Sequence, residues 1–303
     1  MTTNRHSIAL AVLVASGCTL GVDAAEIRAE DTADAAGVTL FRGDLSRFGD
    51  VRVTGIDEPT IRAAVVARGL IGAEQEEEAR ESVRPSLHTD GSVAGVTSSA
   101  EGPLAELLTI DRLELDVPAA MGVDLTLGSS SAHVSDVLGL VRIRGTSGSV
   151  ELDGGDALDI ELDSGSVVAE ARSARLRTES GSMELVLSDH VDAAAGSGSI
   201  VVRLAGGGEL HADTGSIDIT LEGPLTEDLN VSTGDGSVRI HMLGGVGAEL
   251  DLSPGHGSVE VYAAGERVAA GYSFVGTIGA GGHTIQVRTG DGSIVVDAAD
   301  EAR

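Results

Sequence analysis

The sequence predicts an all-β protein: a single-stranded parallel β-solenoid or β-roll of ~17-residue Gly-Ser-Val repeats with an N-terminal β-rich cap. Two observations predict it. The tripeptide Gly-Ser-(Val/Ile/Met) occurs nine times, beginning at Gly91, Gly148, Gly165, Gly181, Gly198, Gly215, Gly236, Gly257 and Gly292. From Gly148 the steps are 17, 16, 17, 17, 21, 21 and 35 residues, and a recurring period in this range marks stacked repeats. Within each unit apolar and polar residues alternate, as in Val150-Glu151-Leu152-Asp153 and Leu158-Asp159-Ile160-Glu161-Leu162. That is the period of a strand with one face in a core and one in water.

Each unit therefore reads as two short strands and two turns. The steps of 21 read as the same unit with a four-residue insertion, and the step of 35 as two units with one degenerate copy. Gly148, Gly165, Gly181, Gly198, Gly215, Gly236, Gly257 and Gly292 are the expected corners, because glycine takes φ > 0 without steric cost. The serine that follows is placed to bond local backbone or its equivalents in neighbouring coils. The Val, Ile or Met after it starts the inward-facing strand. One coil cannot bury its apolar side alone, so stability must come from stacking. Nine or ten coils with strands ~4.8 Å apart would span on the order of 45 Å.

Along the chain, residues 1–17 read as a bacterial lipoprotein signal peptide. Arg5 and His6 precede the apolar run Ile8 to Val14, and Ala15-Ser16-Gly17-Cys18 resembles a lipobox. Cys18 is the only cysteine and stands where a lipid anchor needs its thiol. Residues 18–39 read as a flexible tether, rich in Ala, Asp and Glu. Residues 40–130 form the expected β-rich cap region, with strands at Gly49 to Gly55 and Leu107 to Val117, a segment Thr60 to Leu70 that reads as a strand by its β-branched residues with a short helix as the alternative, and an exposed helical stretch at Glu74 to Glu81. Residues 131–297 form the repeat β-solenoid, and 298–303 a short tail.

Composition restricts the function. The chain carries 48 Asp and Glu against 20 basic residues, all arginine, for a net charge of −28. Nucleic acid and anionic headgroups are poor partners for such a surface. Aromatic residues make up 2% of the chain and glycine counts 42, which suits a thin core of stacked aliphatic side chains.

Catalytic and metal motifs fail on context. The elbow-like Gly196-Ser197-Gly198 lacks a strand-to-helix setting. His6, His88, His133, His190, His211, His241, His256 and His283 form no His-Glu-x-x-His pattern, although stacking would place His211 and His241 on one face. Asp235 and Asp291 stand in matching Thr-Gly-Asp-Gly-Ser turns without the nine-residue recurrence of calcium repeats, so turn geometry explains them and cation binding stays an open alternative. No catalytic residue, metal site or cofactor is expected.

These residues together resemble the bacterial "putative adhesin" β-strand-repeat family of envelope proteins of unknown function. The resemblance rests on Gly49-Asp50-Val51-Arg52-Val53-Thr54-Gly55, on Leu115-Asp116-Val117-Pro118-Ala119, and on units such as Thr146-Ser147-Gly148-Ser149-Val150. It covers roughly residues 40–297. It implies a protein of the cell envelope and supplies no catalytic residues; with the lipobox-like Cys18, the expectation is a non-enzymatic, lipid-anchored protein at the outer membrane or cell surface. The expected role is structural or adhesive, with an envelope protein or glycan as partner and no nucleic acid. A carbohydrate-active β-helix and an accessory or sensor protein of envelope-stress signalling are the alternatives.

Overall fold

The structure is a computed structural model that describes residues 25–98, 102–244 and 246–299. The expected signal peptide, Cys18 and residues 300–303 lie outside the described residues. The chain is 67% strand with one short α-helix, Glu76–Ser82, so an all-β reading holds. Its strands form one connected, largely parallel sheet that runs as two ladders.

The first ladder stacks, in spatial order, Val93–Ser98, Leu40–Asp44, Gly122–Leu127, Leu140–Gly145, Ala157–Ser164, residues 173–180, residues 190–197, Gly207–Thr214, Leu229–Asp235, Thr284–Asp291 and Ala248–His256, all parallel. The second stacks Leu108–Pro118, Asp50–Ile56, Ser131–Ser135, Val150–Asp153, residues 167–171, residues 183–187, Ile200–Leu204, Ile217–Leu221, Val238–Met242, Ile294–Ala298 and Val259–Ala263. The chain passes from one ladder to the other within each repeat. At strand spacing of ~4.8 Å these layers extend on the order of 48 Å.

The inward faces of both ladders belong to one hydrophobic cluster. The residue after each Gly-Ser pair from Gly148 onward lies in it. Val150, Val167, Met183, Ile200, Ile217, Val238, Val259 and Ile294 are each at most 1% exposed. Burying a side chain of this size is worth about 1.5–3 kcal/mol, and each coil obtains that only with a neighbour above and below.

Neither end follows chain order. The last coil, Thr284–Asp291 with Ile294–Ala298, inserts between the coil of Leu229–Met242 and that of Ala248–Ala263. The first coil, Leu40–Asp44 with Asp50–Ile56, likewise lies inside that of Val93–Ser98 and Leu108–Pro118. The first and last parallel coils in chain order thus have partners on both edges and cannot fray alone.

Four expectations are corrected here. The tether assigned to 18–39 is ordered where it is described: Ala25–Asp34 is a strand paired antiparallel with Thr60–Gly69 over ten residues, because Ile27 and Ala29 alternate inward with Glu26, Arg28 and Glu30 outward. No break in pairing marks the division at 130/131, since Gly122–Leu127 pairs with Leu140–Gly145 and Asp50–Ile56 with Ser131–Ser135. The 35-residue step holds no degenerate parallel unit; it holds Glu266–Gly271 and Phe274–Ile278, which pair antiparallel with the outermost coil. Gly91 turns the hairpin between Pro85–Asp90 and Val93–Ser98, away from the stacked corners.

Candidate functional site

The predicted corner glycines stand directly above one another, and their geometry explains the repeat more fully than turn propensity does. A Cβ on Gly165 would fall 1.8 Å from the carbonyl oxygen of Gly148, one on Gly181 1.7 Å from that of Gly165, and one on Gly198 2.0 Å from that of Gly181. The column continues through Gly215, Gly236, Gly292 and Gly257, each meeting the preceding corner's carbonyl at 2.0–2.1 Å. All but Gly236 also have φ in the left-handed region, from 116° at Gly148 to 154° at Gly292. The adjacent serines knit the column. Ser149 N–H donates to Ser131 Oγ at 3.3 Å, Ser199 N–H to Ser182 Oγ at 3.4 Å, and Ser293 N–H to Ser237 Oγ at 3.2 Å. These glycines are structural, and nothing in their geometry is chemical.

The most organised polar surface is the outer face of the first ladder. Its in-register column reads Arg42, Asp124, Arg142, Asp159, Arg175, Asp192, Glu209, Asn230, Gln286, Asp251. Over its first six members the charge alternates. Nε of Arg42 donates to Asp124 at 3.0 Å, that of Arg142 to Asp159 at 2.8 Å, and that of Arg175 to Asp192 at 3.0 Å. A second column beside it carries Arg144, Glu161 and Arg177, and Arg177 also donates to Asp192 at 3.2 Å. Farther along, Asp251 is held below the usual carboxylate range chiefly by the hydrogen bonds from Arg288; burial opposes this, and a hydrogen bond from Gln286 adds a lesser lowering effect. The column is periodic in the sequence as well, although no motif marks it. Arg142, Asp159, Arg175, Asp192 and Glu209 are spaced by 17, 16, 17 and 17, the steps of the corner glycines.

Beside this lattice lies an open depression of 580 Å³, lined by Glu161, Arg177, Ala194, His211 and Asp213 among others. It exists because Ala194 and Gly196 replace long side chains between Arg177 and His211. His211 is held by Ser232 on one nitrogen, at 2.8 Å, and by Asp213 on the other, at 2.9 Å. It does not meet His241, which lies in the second ladder. Asp235 and Asp291, in the two matching Thr-Gly-Asp-Gly-Ser turns, are register partners, and His256 Nδ1 lies 2.9 Å from Asp291. Among the described residues no group of three His, Cys, Asp or Glu is arranged to hold a metal ion.

No family model and no curated protein matches this chain significantly. Several solved structures do. A crystal structure described as a "putative lipid binding protein" from Parabacteroides distasonis ATCC 8503 is 13% identical, with 89% of this chain and 96% of that chain covered at a TM-score of 0.42. A "putative adhesin" from Bacteroides fragilis NCTC 9343 is 11% identical over 89% and 96% at 0.41. Another from Parabacteroides merdae ATCC 43184 is 11% identical over 90% and 97% at 0.37. Likeness at this identity and score says nothing of what this chain binds.

Proposed function

We propose that this protein is a non-enzymatic, lipid-anchored scaffold of the cell envelope. It is a β-solenoid whose outward columns form a binding surface for an envelope protein or a glycan. The observation that carries the reading is the charge lattice from Arg42 to Asp251: polar groups spread evenly along a rigid stack, with their hydrogen bonds directed at one another. An extended surface with a repeat of ~4.8 Å suits an extended, repetitive partner better than a small substrate. The anchor would be Cys18, on the outer membrane or cell surface.

The test is a crosslinking pull-down from intact cells, with an unrelated tethered lipoprotein as control. Reproducible enrichment of one protein or glycan, lost on Arg142→Ala with Arg175→Ala, supports the reading. Cleavage of a polyuronate by the purified chain overturns it. Cys18→Ser should move the protein from the membrane fraction to the soluble one; unchanged fractionation rejects the anchor.

A further inference from the structure

We infer that the strand Phe274–Ile278 is an open sheet edge through which two copies of this chain pair antiparallel, end to end, into a two-fold dimer. The inference starts from a difference between the two ends of the stack.

At the end that contains Ala25–Asp34 the outer backbone is blunted. Arg80 Nε, from the helix Glu76–Ser82, donates to the carbonyl of Arg28 at 3.2 Å, and Asp31 Oδ2 accepts the N–H of Leu87 at 2.8 Å. The strand itself exposes Glu26, Arg28 and Glu30, and its neighbour Pro85–Asp90 opens with proline. Charges, proline and a covering helix are the devices that stop edge pairing.

The other end has two terminal strands. Glu266–Gly271 is blunted too, by Glu266, Arg267 and a bulge that displaces Val268 between Val261 and Tyr262. Phe274–Ile278 has none of these. Its five residues pair with Ala248 to Leu252 in unbroken register, and among the described residues no strand covers its other side and no side chain bonds Phe274 to Thr277. Residues 268–278, Val-Ala-Ala-Gly-Tyr-Ser-Phe-Val-Gly-Thr-Ile, contain no charged side chain in a chain that is 22% charged. Tyr272 at 86% and Val275 at 80% are the most exposed large apolar residues described.

The occupant follows from charge and symmetry. The net charge of −28 opposes contact between two copies, and the uncharged run 268–278 is a stretch of surface where that opposition is weakest. A strand paired antiparallel with itself has a two-fold axis, so the contact is self-complementary and closes at a dimer. The first ladder would then continue from one copy into the next.

Sedimentation equilibrium on the full chain tests this, with Cys18→Ser in every sample so that neither thiol nor lipid links two copies. The parent should show a monomer–dimer equilibrium. Val275→Lys places an ammonium from each copy at the joint and should weaken it at least about tenfold. Val168→Lys, the same charge change on the outer face of the second ladder, should leave it unaltered. Equal melting temperatures establish that both variants are folded. A parent that is monomeric throughout, an assembly larger than a dimer, or a dimer that Val275→Lys leaves intact overturns the inference.

Discussion

Arg142 and Asp159 occupy the same place in adjacent coils, and the guanidinium Nε of one donates to Oδ2 of the other at 2.8 Å. Parallel in-register stacking sets every residue beside its counterpart one repeat on. Identical repeats would therefore stack like charges, which repel across a strand pair. Alternating Arg and Asp along Arg42, Asp124, Arg142, Asp159, Arg175 and Asp192 turns that liability into a run of favourable contacts.

Asp159→Arg tests this directly, because it would line up three arginines at 142, 159 and 175. The pairs are partly exposed, so the loss should be modest, about 0.5–1 kcal/mol, and should shrink in high salt. Denaturant titration at two ionic strengths measures it. No change at low salt would mean that the column is decorative.

Two glycine substitutions separate corner geometry from turn preference. Gly198→Ala combines φ of 132° with a Cβ 2.0 Å from the Gly181 carbonyl. It should cost at least about 3 kcal/mol, or prevent folding. Gly91→Ala has φ of 59° and nothing within 4 Å, so it should cost only about 1 kcal/mol. Equal losses in thermal melts would contradict the stacked-carbonyl account.

Thr178 is 5% exposed and its Oγ1 is the one buried side-chain oxygen or nitrogen without a partner among the described residues. Thr233 and Thr289, also buried, instead donate to the carbonyls of Gly215 and Gly292 at 3.0 and 3.1 Å. Thr178→Ala, the residue found at 195 and 212 in the next coils, should be neutral or stabilising by up to about 1 kcal/mol. Thr233→Ala should destabilise by a similar amount. Urea midpoints of the two variants should move apart.

Ile217→Asp puts an unpaired carboxylate among fully buried neighbours, between Ile200 and Val238 in register. Loss of the cooperative transition by circular dichroism is expected. Wild-type stability would show that the inward register is wrong.

Asp251 gives the pH dependence its sign. Its folded-state pKa is depressed below the ordinary 3.8, chiefly by the Arg288 hydrogen bond. The stabilisation is present above 3.8 and is lost as pH falls through the lower, folded value. Arg288→Gln should raise the Asp251 midpoint toward 3.8, read by carboxyl NMR titration. An unmoved midpoint would remove Arg288 as its cause.

Much of the architecture was legible because stacking repeats a local environment. The Gly-Ser-Val steps marked the corners, and alternation placed Val150, Val167, Met183, Ile200 and Ile217 inward, where each is at most 1% exposed. The Arg and Asp column carried the same steps and was equally readable. Ala25–Asp34 was harder: its few apolar residues are small and its charges many, so composition resembled a tether until Thr60–Gly69 supplied a partner edge.

What the sequence by itself determined is the repeating coil, since corner sterics and two-residue alternation are local properties of each unit. The order of the coils was decided only in the tertiary structure. Every coil offers nearly the same edge and the same apolar face, so period alone does not say that Thr284–Asp291 lies between Leu229–Asp235 and Ala248–His256. That choice is a matter of non-local pairing, as is the exposed edge at Phe274–Ile278 that it leaves at one end of the stack.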